Sequence, residues 1–220
     1  MLNIKNMDNL QKTDRTTITR LPKRGSYDRN TIYSILDEAL FCTLAYVHEG
    51  QPFQIPTGFC RIGDRLYIHG SVGSSYMRIL DTNKPLTCIS VTLMDGIVLA
   101  RSAMHHSVNY RSVVLFSHPE RVHNDDELYK SLEEFTNKMQ PGRWDDVRKP
   151  TANEWKATMV IAFAINEASA KLRTGGPVDD EEDYASDVWA GVVPLRLQRL
   201  EPQPDERLRA GIPLPDYLRG

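Results

Sequence analysis

The stretch 51–75, QPFQIPTGFCRIGDRLYIHGSVGSS, decides how the rest of this chain is read. Phe53, Ile55, Phe59, Leu66 and Ile68 supply apolar strand residues, and Gly63-Asp64 supplies the tight turn between them, so the pattern predicts a β-hairpin. After Ile68 the sequence changes to HGSVGSS, where small residues let the backbone bend closely, and a short helix is expected from near Tyr76. The unpaired first-turn amides and positive dipole end of such a helix suit a phosphate. The alternative is an ordinary strand-to-helix connection with Ser74 or Ser75 as N-cap. The stretch is neither a P-loop nor a G-x-G-x-x-G.

Working outward, the preceding segment NTIYSILDEALF places Ile32, Ile35, Leu36, Ala39 and Leu40 at helical spacing, with Asp28 or Asn30 as the cap. CTLAYVH (42–48) reads as a strand, and Glu49-Gly50 as a turn. Downstream, KPLTCISVTLMDGIVLARSAM reads as two strands joined at Asp95-Gly96, a hairpin signal, and NYRSVVLFS (109–117) as another strand. Leu128, Leu132 and Phe135 mark a helix over 125–139, stopped by Pro141-Gly142, and T-x-x-E at Thr151 is a capping box. ATMVIAFAI is a strand; residues 169–173 form an edge strand and residues 190–197 a final one, with Pro194 suited to an edge. These strands and tight turns predict a mainly β fold with flanking helices, an antiparallel barrel whose closure disposes of its edges. Residues 1–20 are polar and aperiodic, an arm that is mobile or draped over a neighbour; 21–200 form one domain; 201–220 form an extended tail.

The 220 residues allow one substantial core, and a net charge of −2 with mixed signs gives no global field for nucleic acid or an anionic membrane. Cys42, Cys60 and Cys88 are far apart without a C-x-x-C pair, and neither a secretory leader nor an apolar run of about 20 residues is present, so a cytoplasmic protein with buried thiols is expected.

His105 and His106 are the best-looking metal pair, but neighbours on a strand face opposite ways, so no metal site is expected. There is no G-x-S-x-G elbow for nucleophilic catalysis. The run 179–184 holds five acidic residues in six and reads as a solvated loop. What remains are polar residues at strand ends: His69, Ser71, Ser74, Ser75, Ser107, Asn109, Tyr110, Arg111, Ser112, Lys171 and Arg173. Alternation puts Tyr110 and Ser112 on one face and Arg111 on the other. Trp189 is either a flat lid over a ring system or a packing anchor. Phosphate donors, polar hydrogen-bonding groups and an aromatic lid together describe a nucleotide-like ligand with a planar head.

The blocks YDRNTIYSILDEALFCTLAYV (27–47), GQPFQIPTGFCRIGDRLYIHGS (50–71), SVTLMDGIVLARSAMHHSVNYRSVVLF (90–116), PGRWDDVRKPT (141–151) and EASAKLRTGGPVDDEEDYASDVWAGVVPLRL (167–197) resemble the pyridoxamine 5′-phosphate oxidase-like flavin-nucleotide-binding proteins, in the branch related to nitroimidazole-resistance proteins. The resemblance implies an FMN-binding split β-barrel, with FAD possible, that forms a homodimer with the flavin at the subunit interface. It places Gln54, Ile55, Pro56 and Thr57 along the flavin ring, and Ile68, His69, Gly70, Ser71, Ser74 and Ser75 toward the phosphate. The wider family often has an Arg-Lys or Lys-Lys pair where this chain has Ser74-Ser75, so Arg78 or Arg111 is expected to supply the base. Tyr110 and Ser112 become flavin contacts, and Lys171, Arg173 and Trp189 come from the second subunit. The Arg-x-His of true pyridoxamine phosphate oxidases is absent. The implied function is a flavin-dependent oxidoreductase acting on a small aromatic, nitro-type or quinone-like molecule, with His69 or His106 as proton donor; the alternative is a haem-binding or flavin-storing dimer.

Overall fold

The computed structural model describes residues 8–219; residues 1–7 of the expected arm and Gly220 lie outside the described residues. A short strand β1 (Gly25–Ser26) leads into helix α1 (Arg29–Glu38), whose N-cap Asp28 accepts a 2.7 Å hydrogen bond from the Thr31 amide. α1 buries Ile32, Ile35 and Leu36. Strands β2 (Phe41–His48) and β3 (Gln51–Gly58) follow, joined at Glu49 (φ 51°) and Gly50 (φ 77°), both left-handed as a two-residue type I′ turn requires.

The chain then changes sheets. β3 pairs with β2 throughout, and the fully buried Phe59 carries the backbone across to β4 (Cys60–Ile62), which forms the hairpin over Gly63 with β5 (Arg65–Ser71). The hairpin expected within 51–71 is therefore half right: Gly63-Asp64 turns the chain, but Phe53 and Ile55 belong to a different sheet from Leu66 and Ile68.

Helix α2 (Ser75–Asn83) precedes the long strand β6 (Thr87–Leu99), then come β7 (Ser107–Ser117), β8 (Pro119–Arg121), α3 (Asp125–Met139), the short helices α4 (Arg143–Asp146) and α5 (Ala152–Ala157), and strands β9 (Thr158–Ala164), β10 (Glu167–Arg173) and β11 (Gly191–Pro194). The large sheet runs β1-β10-β7-β6-β2-β3 with β11 also on β6; the small sheet runs β4-β5-β9-β8. This is the antiparallel split barrel with flanking helices.

Asp95-Gly96 does not turn the chain. It forms a bulge inside β6, where the register with β7 shifts between Met94 and Gly96. Ahead of the bulge β6 pairs with β2, and beyond it with β11. A Cβ on Gly96 would meet Val192 Cγ1 at 2.9 Å, so the close approach of β11 needs glycine there.

Two cores result. Leu44, Ile89, Val91, Val113 and Leu115 from the large sheet meet Leu66, Ile68, Met159, Ile161 and Phe163 from the small one, closed by α1 and α2. The opposite face of the small sheet, with Cys60, Tyr67, Val160 and Ala162, packs under α3. β9 is covered on both faces, which explains its unbroken apolar run.

Residues 8–20 of the arm pack in part against their own chain: Leu10 and Thr16 are buried, and Arg15 pairs with Glu167 on β10 at 2.9 Å. The tail folds back too, its Tyr217 carbonyl accepting from Gln140 at 3.0 Å. Cys42 and Cys60 are buried, with burial pushing both thiols up to about 12, while Cys88 is half-buried. No described helix is long and apolar enough to cross a membrane.

Phe59 also lies 3.6 Å from Lys138 Nζ, which donates to the Leu36 carbonyl at 2.8 Å and so ties α3 to α1. Phe59→Ala is expected to cost about 3–5 kcal/mol, read as a lower urea midpoint at unchanged slope.

Candidate functional site

β5 ends where Gly70 lets α2 press onto it: a Cβ there would meet Met77 Cγ at 2.9 Å. The turn that follows is held by Ser74 N donating to Ser71 O at 3.0 Å and Gly73 N donating to Ser71 Oγ at 3.1 Å. Ser74 occupies the N-cap position, yet its side chain makes no capping bond. The α2 ladder begins with Arg78 N donating to Ser74 O at 3.1 Å, which leaves the Ser75, Tyr76 and Met77 amides at the helix end. Ser75 and Arg78 are exposed, and the nearest carboxylate along α2, Asp81, is paired with Arg121 at 2.9 Å. Hydroxyls, open amides and a guanidinium without a neutralising carboxylate form a donor set that fits an anionic phosphate.

β3 is the outer strand of the large sheet, and most of it is exposed. Pro52 and Pro56 lack an N–H and so occupy positions pointing away from β2; alternation then turns the Gln54 amide outward between them. Inward, Ile55 packs against the core and the Tyr46 and Phe53 rings stack at 5.6 Å.

The register places Thr43, Pro56, Ser90 and Val114 in one row of the outer face, with Thr92, Ser112 and Lys171 in the next and Met94, Tyr110 and Arg173 in a third. Tyr110 and Ser112 share this face, as alternation requires. Ser112 Oγ donates to the Lys171 carbonyl at 3.2 Å, and Lys171 Nζ donates to Arg20 O at 3.2 Å. Phe41 and Val47 on β2 and Met94 on β6 leave more than half of their surface exposed, at 61%, 59% and 52%.

The turn into α2 and that helix's first turn carry Gly70, Ser71, Ser74, Ser75 and Arg78, whereas the Ile68 side chain is buried in the barrel core; Gln54, Pro56 and Ser112 lie along one sheet face. Thr57, like Ile55, sits on the inward side of β3. Other expected residues are already engaged. Arg111 lies between Glu38, which it contacts through both terminal nitrogens, and Asp95, which it meets at 2.7 and 2.9 Å, so it does not serve as the phosphate base in this arrangement. The hydrogen bonds from Arg111 hold the Glu38 and Asp95 carboxyls below the usual range. Arg173 is buried, donating to Asn109 Oδ1 at 2.5 Å and to the Gly175 and Gly176 carbonyls at 3.3 and 3.1 Å.

The two histidines are apart. His69 alternates with Ile68, so it points away from the barrel core and its ring meets Phe135 of α3 edge-on at 4.3 Å. His106 is not on a strand: a 3₁₀ turn, Ala103–His105, separates β6 from β7, and His106 Nδ1 lies 2.9 Å from the Ser102 carbonyl. His118, passed over in the sequence, repeats that arrangement, its Nδ1 lying 2.9 Å from Lys84 O; a histidine after a strand end carries no local signal of it. Trp189 is 67% exposed and folds over Gly191.

A family model described as pyridoxamine 5′-phosphate oxidase matches residues 28–172. The flavocytochrome Anf3 from Azotobacter vinelandii is 40% identical, with a TM-score of 0.87 over 94% of this chain and 96% of that one. The FAD and haem binding protein from Mycobacterium smegmatis is also 40% identical, with a TM-score of 0.84 over 89% of this chain and 96% of that one. A 5-nitroimidazole antibiotic resistance protein from Bacteroides thetaiotaomicron shares the fold at 20% identity, with a TM-score of 0.56 over 67% and 85% of the two chains. No curated protein sequence matches.

Burial under α3 holds the His69 imidazole below its ordinary pKa of 6.5, which favours the neutral ring in the folded chain. Below pH 6.5 the unfolded chain takes up the proton first, and that penalises the fold. Relative to His69→Phe, wild-type stability is expected to fall as pH drops through 6.5 and to level off once the folded imidazole also protonates; urea midpoints from pH 8 to pH 5 check this.

Proposed function

This chain belongs to the pyridoxamine 5′-phosphate oxidase family, and from that premise we propose that it is a homodimeric flavoprotein performing redox chemistry on a small planar molecule of the quinone or nitro-aromatic type. The observation that carries the reading is the start of α2, where uncapped serines, open amides and Arg78 converge without a carboxylate. The bound flavin supplies the electron transfer. The chain's own residues hold and orient it: the Ser74 and Ser75 hydroxyls and the Arg78 guanidinium take the phosphate, and the outward Gln54 amide donates to the polar edge of the ring. Pro56, Ser90, Thr92 and Ser112 give that ring a flat bed, apolar in part and hydrogen-bonding in part.

The start of α2 opens to the surface, since Ser71, Gly73 and Ser75 are all exposed. A flavin extended beyond its first phosphate has room there. This favours FAD over the FMN expected from sequence, in line with the FAD and haem binding relative at 40% identity. Subunit pairing over the exposed Phe41, Val47 and Met94 buries apolar surface and shields the ring from water.

A second reading adds a haem, since the two relatives at 40% identity are described as a flavocytochrome and a haem binding protein. The ligands that fit are His106 and His118. In each, Nδ1 faces a backbone carbonyl, which fixes the tautomer and leaves Nε2 exposed as the donor. His69, closed in against Phe135, does not fit.

A carboxylate beside the phosphate repels it at close range. Ser75→Asp is therefore expected to weaken flavin binding tenfold or more, measured by fluorescence titration, and unchanged affinity would refute the phosphate placement. Mass spectrometry of the released chromophore separates FAD from FMN. A Soret band at about 400 nm beside the flavin band at about 450 nm reports the haem, and its loss in His106→Ala or His118→Ala names the ligand.

A further inference from the structure

The acidic loop after β10 is not simply solvated. Asp180 and Asp183 bracket the start of a 3₁₀ turn, Glu181–Ala185, closed by Asp183 N donating to Asp180 O at 3.0 Å. With three residues per turn, side chains three apart eclipse, and the two carboxylates come together. His105, from the turn between β6 and β7, reaches the same point. One ligand atom from each of His105, Asp180 and Asp183 lies within 4.8 Å of the others.

The histidine makes this more than a group of acids. Its Nδ1 is buried and lacks a hydrogen-bond partner, and 3.8 Å away stands Asp179 Oδ1, on a side chain with no solvent exposure. Its Nε2 is directed to the other side, 3.9 Å from Asp180 Oδ2. A small rotation would let Nδ1–H donate to Asp179 and leave Nε2 as a free donor beside two carboxylates. That is the carboxylate–histidine–metal order in which an outer carboxylate sets the tautomer. Asp179 is fixed for such a role: it is buried, and it accepts hydrogen bonds from the Arg101 amide and guanidinium, both 3.0 Å. The Arg101 guanidinium in turn lies 4.8 Å from the Tyr184 ring centroid, pinning the loop over the β6–β7 turn.

We infer that His105, Asp180 and Asp183 form a binding site for a divalent first-row cation, with Asp179 as the positioning residue behind His105. One imidazole and two carboxylates without a thiolate select borderline and hard ions such as Zn²⁺ or Mn²⁺ over soft Cu(I). Ligand atoms about 2.1 Å from a Zn²⁺ stand about 3–3.5 Å apart, so the loop closes slightly as the ion enters and water fills the remaining positions. The site clamps the loop leading to Trp189 and β11 onto the turn carrying His106, and does not depend on the flavin reading.

Calorimetric titration of the purified, chelator-dialysed full-length protein with ZnCl₂, followed by metal analysis, tests this. One Zn²⁺ per chain is expected, with affinity reduced at least tenfold in both His105→Ala and Asp183→Asn; the second replaces a half-buried carboxylate with an amide of the same shape and keeps the test independent of folding. Asp179→Asn is expected to keep the stoichiometry while weakening binding about tenfold. Absence of stoichiometric uptake, or full affinity retained in either His105→Ala or Asp183→Asn, would overturn the site.

Discussion

The small sheet is apolar on both faces, and covering both is the constraint from which the rest of the architecture follows. One face completes the barrel core against the large sheet, and the other needs a helix, which α3 supplies. Every residue of β5 is assigned by this demand. Leu66 and Ile68 must face the barrel and Tyr67 and His69 must face α3, because a strand offers only two sides. The exit of β5 then fixes where α2 begins, and Gly70 fixes how closely. The polar cradle at Ser74, Ser75 and Arg78 is a by-product of covering apolar surface, placed at the lip of the barrel where the chain leaves the core.

The same constraint shows what a local pattern can and cannot convey. The helices were legible because their caps or apolar stripes are contained within about fifteen residues: Asp28 caps α1, Leu128, Leu132 and Phe135 mark α3, and Thr151 with Glu154 closes the capping box of α5. Asp95-Gly96 was misread because an Asp-Gly inside an alternating apolar run gives one local signal for two outcomes. What decides for a bulge is β7, long enough to pair on both sides of it, and β11, which arrives a hundred residues later and needs the glycine. The crossing at Phe59 was invisible for a similar reason: the run from Thr57 to Cys60 reads as continuous strand, and only the competition of two sheets for its ends breaks it.

Site residues divide along the same line. Those presented by backbone geometry, the small residues before α2 and the outer rows of the sheet, were legible as positions. Whether a charged side chain is available was not, since that depends on distant partners. Arg111 is held by Glu38, at the end of α1, and Asp95, in the bulge; the bulge that was read as a turn is what brings Asp95 to it. Arg173 satisfies the carbonyls of the glycine turn directly after its own strand. A guanidinium held bidentately by carboxylates is both neutralised and geometrically fixed, and releasing it for a ligand would strand two carboxylates.

Such pairing gives the distribution of charge its meaning. Arg61 is matched by Asp37, Arg65 by Glu120 and Glu127, Arg121 by Asp81 and Arg101 by Asp179, so these cations contribute little net field beyond their own neighbourhoods. Arg78 makes no such pair among the described contacts, and it stands one turn into a helix whose dipole adds to its charge. In a chain with a net charge of −2, the positive potential that an anionic ligand would feel therefore comes not from an excess of basic residues but from one guanidinium left unmatched at a helix start. Placing a carboxylate within that first turn would cancel the local field without touching the core, whereas removing a paired arginine elsewhere would disturb packing and leave the cradle's potential nearly unchanged.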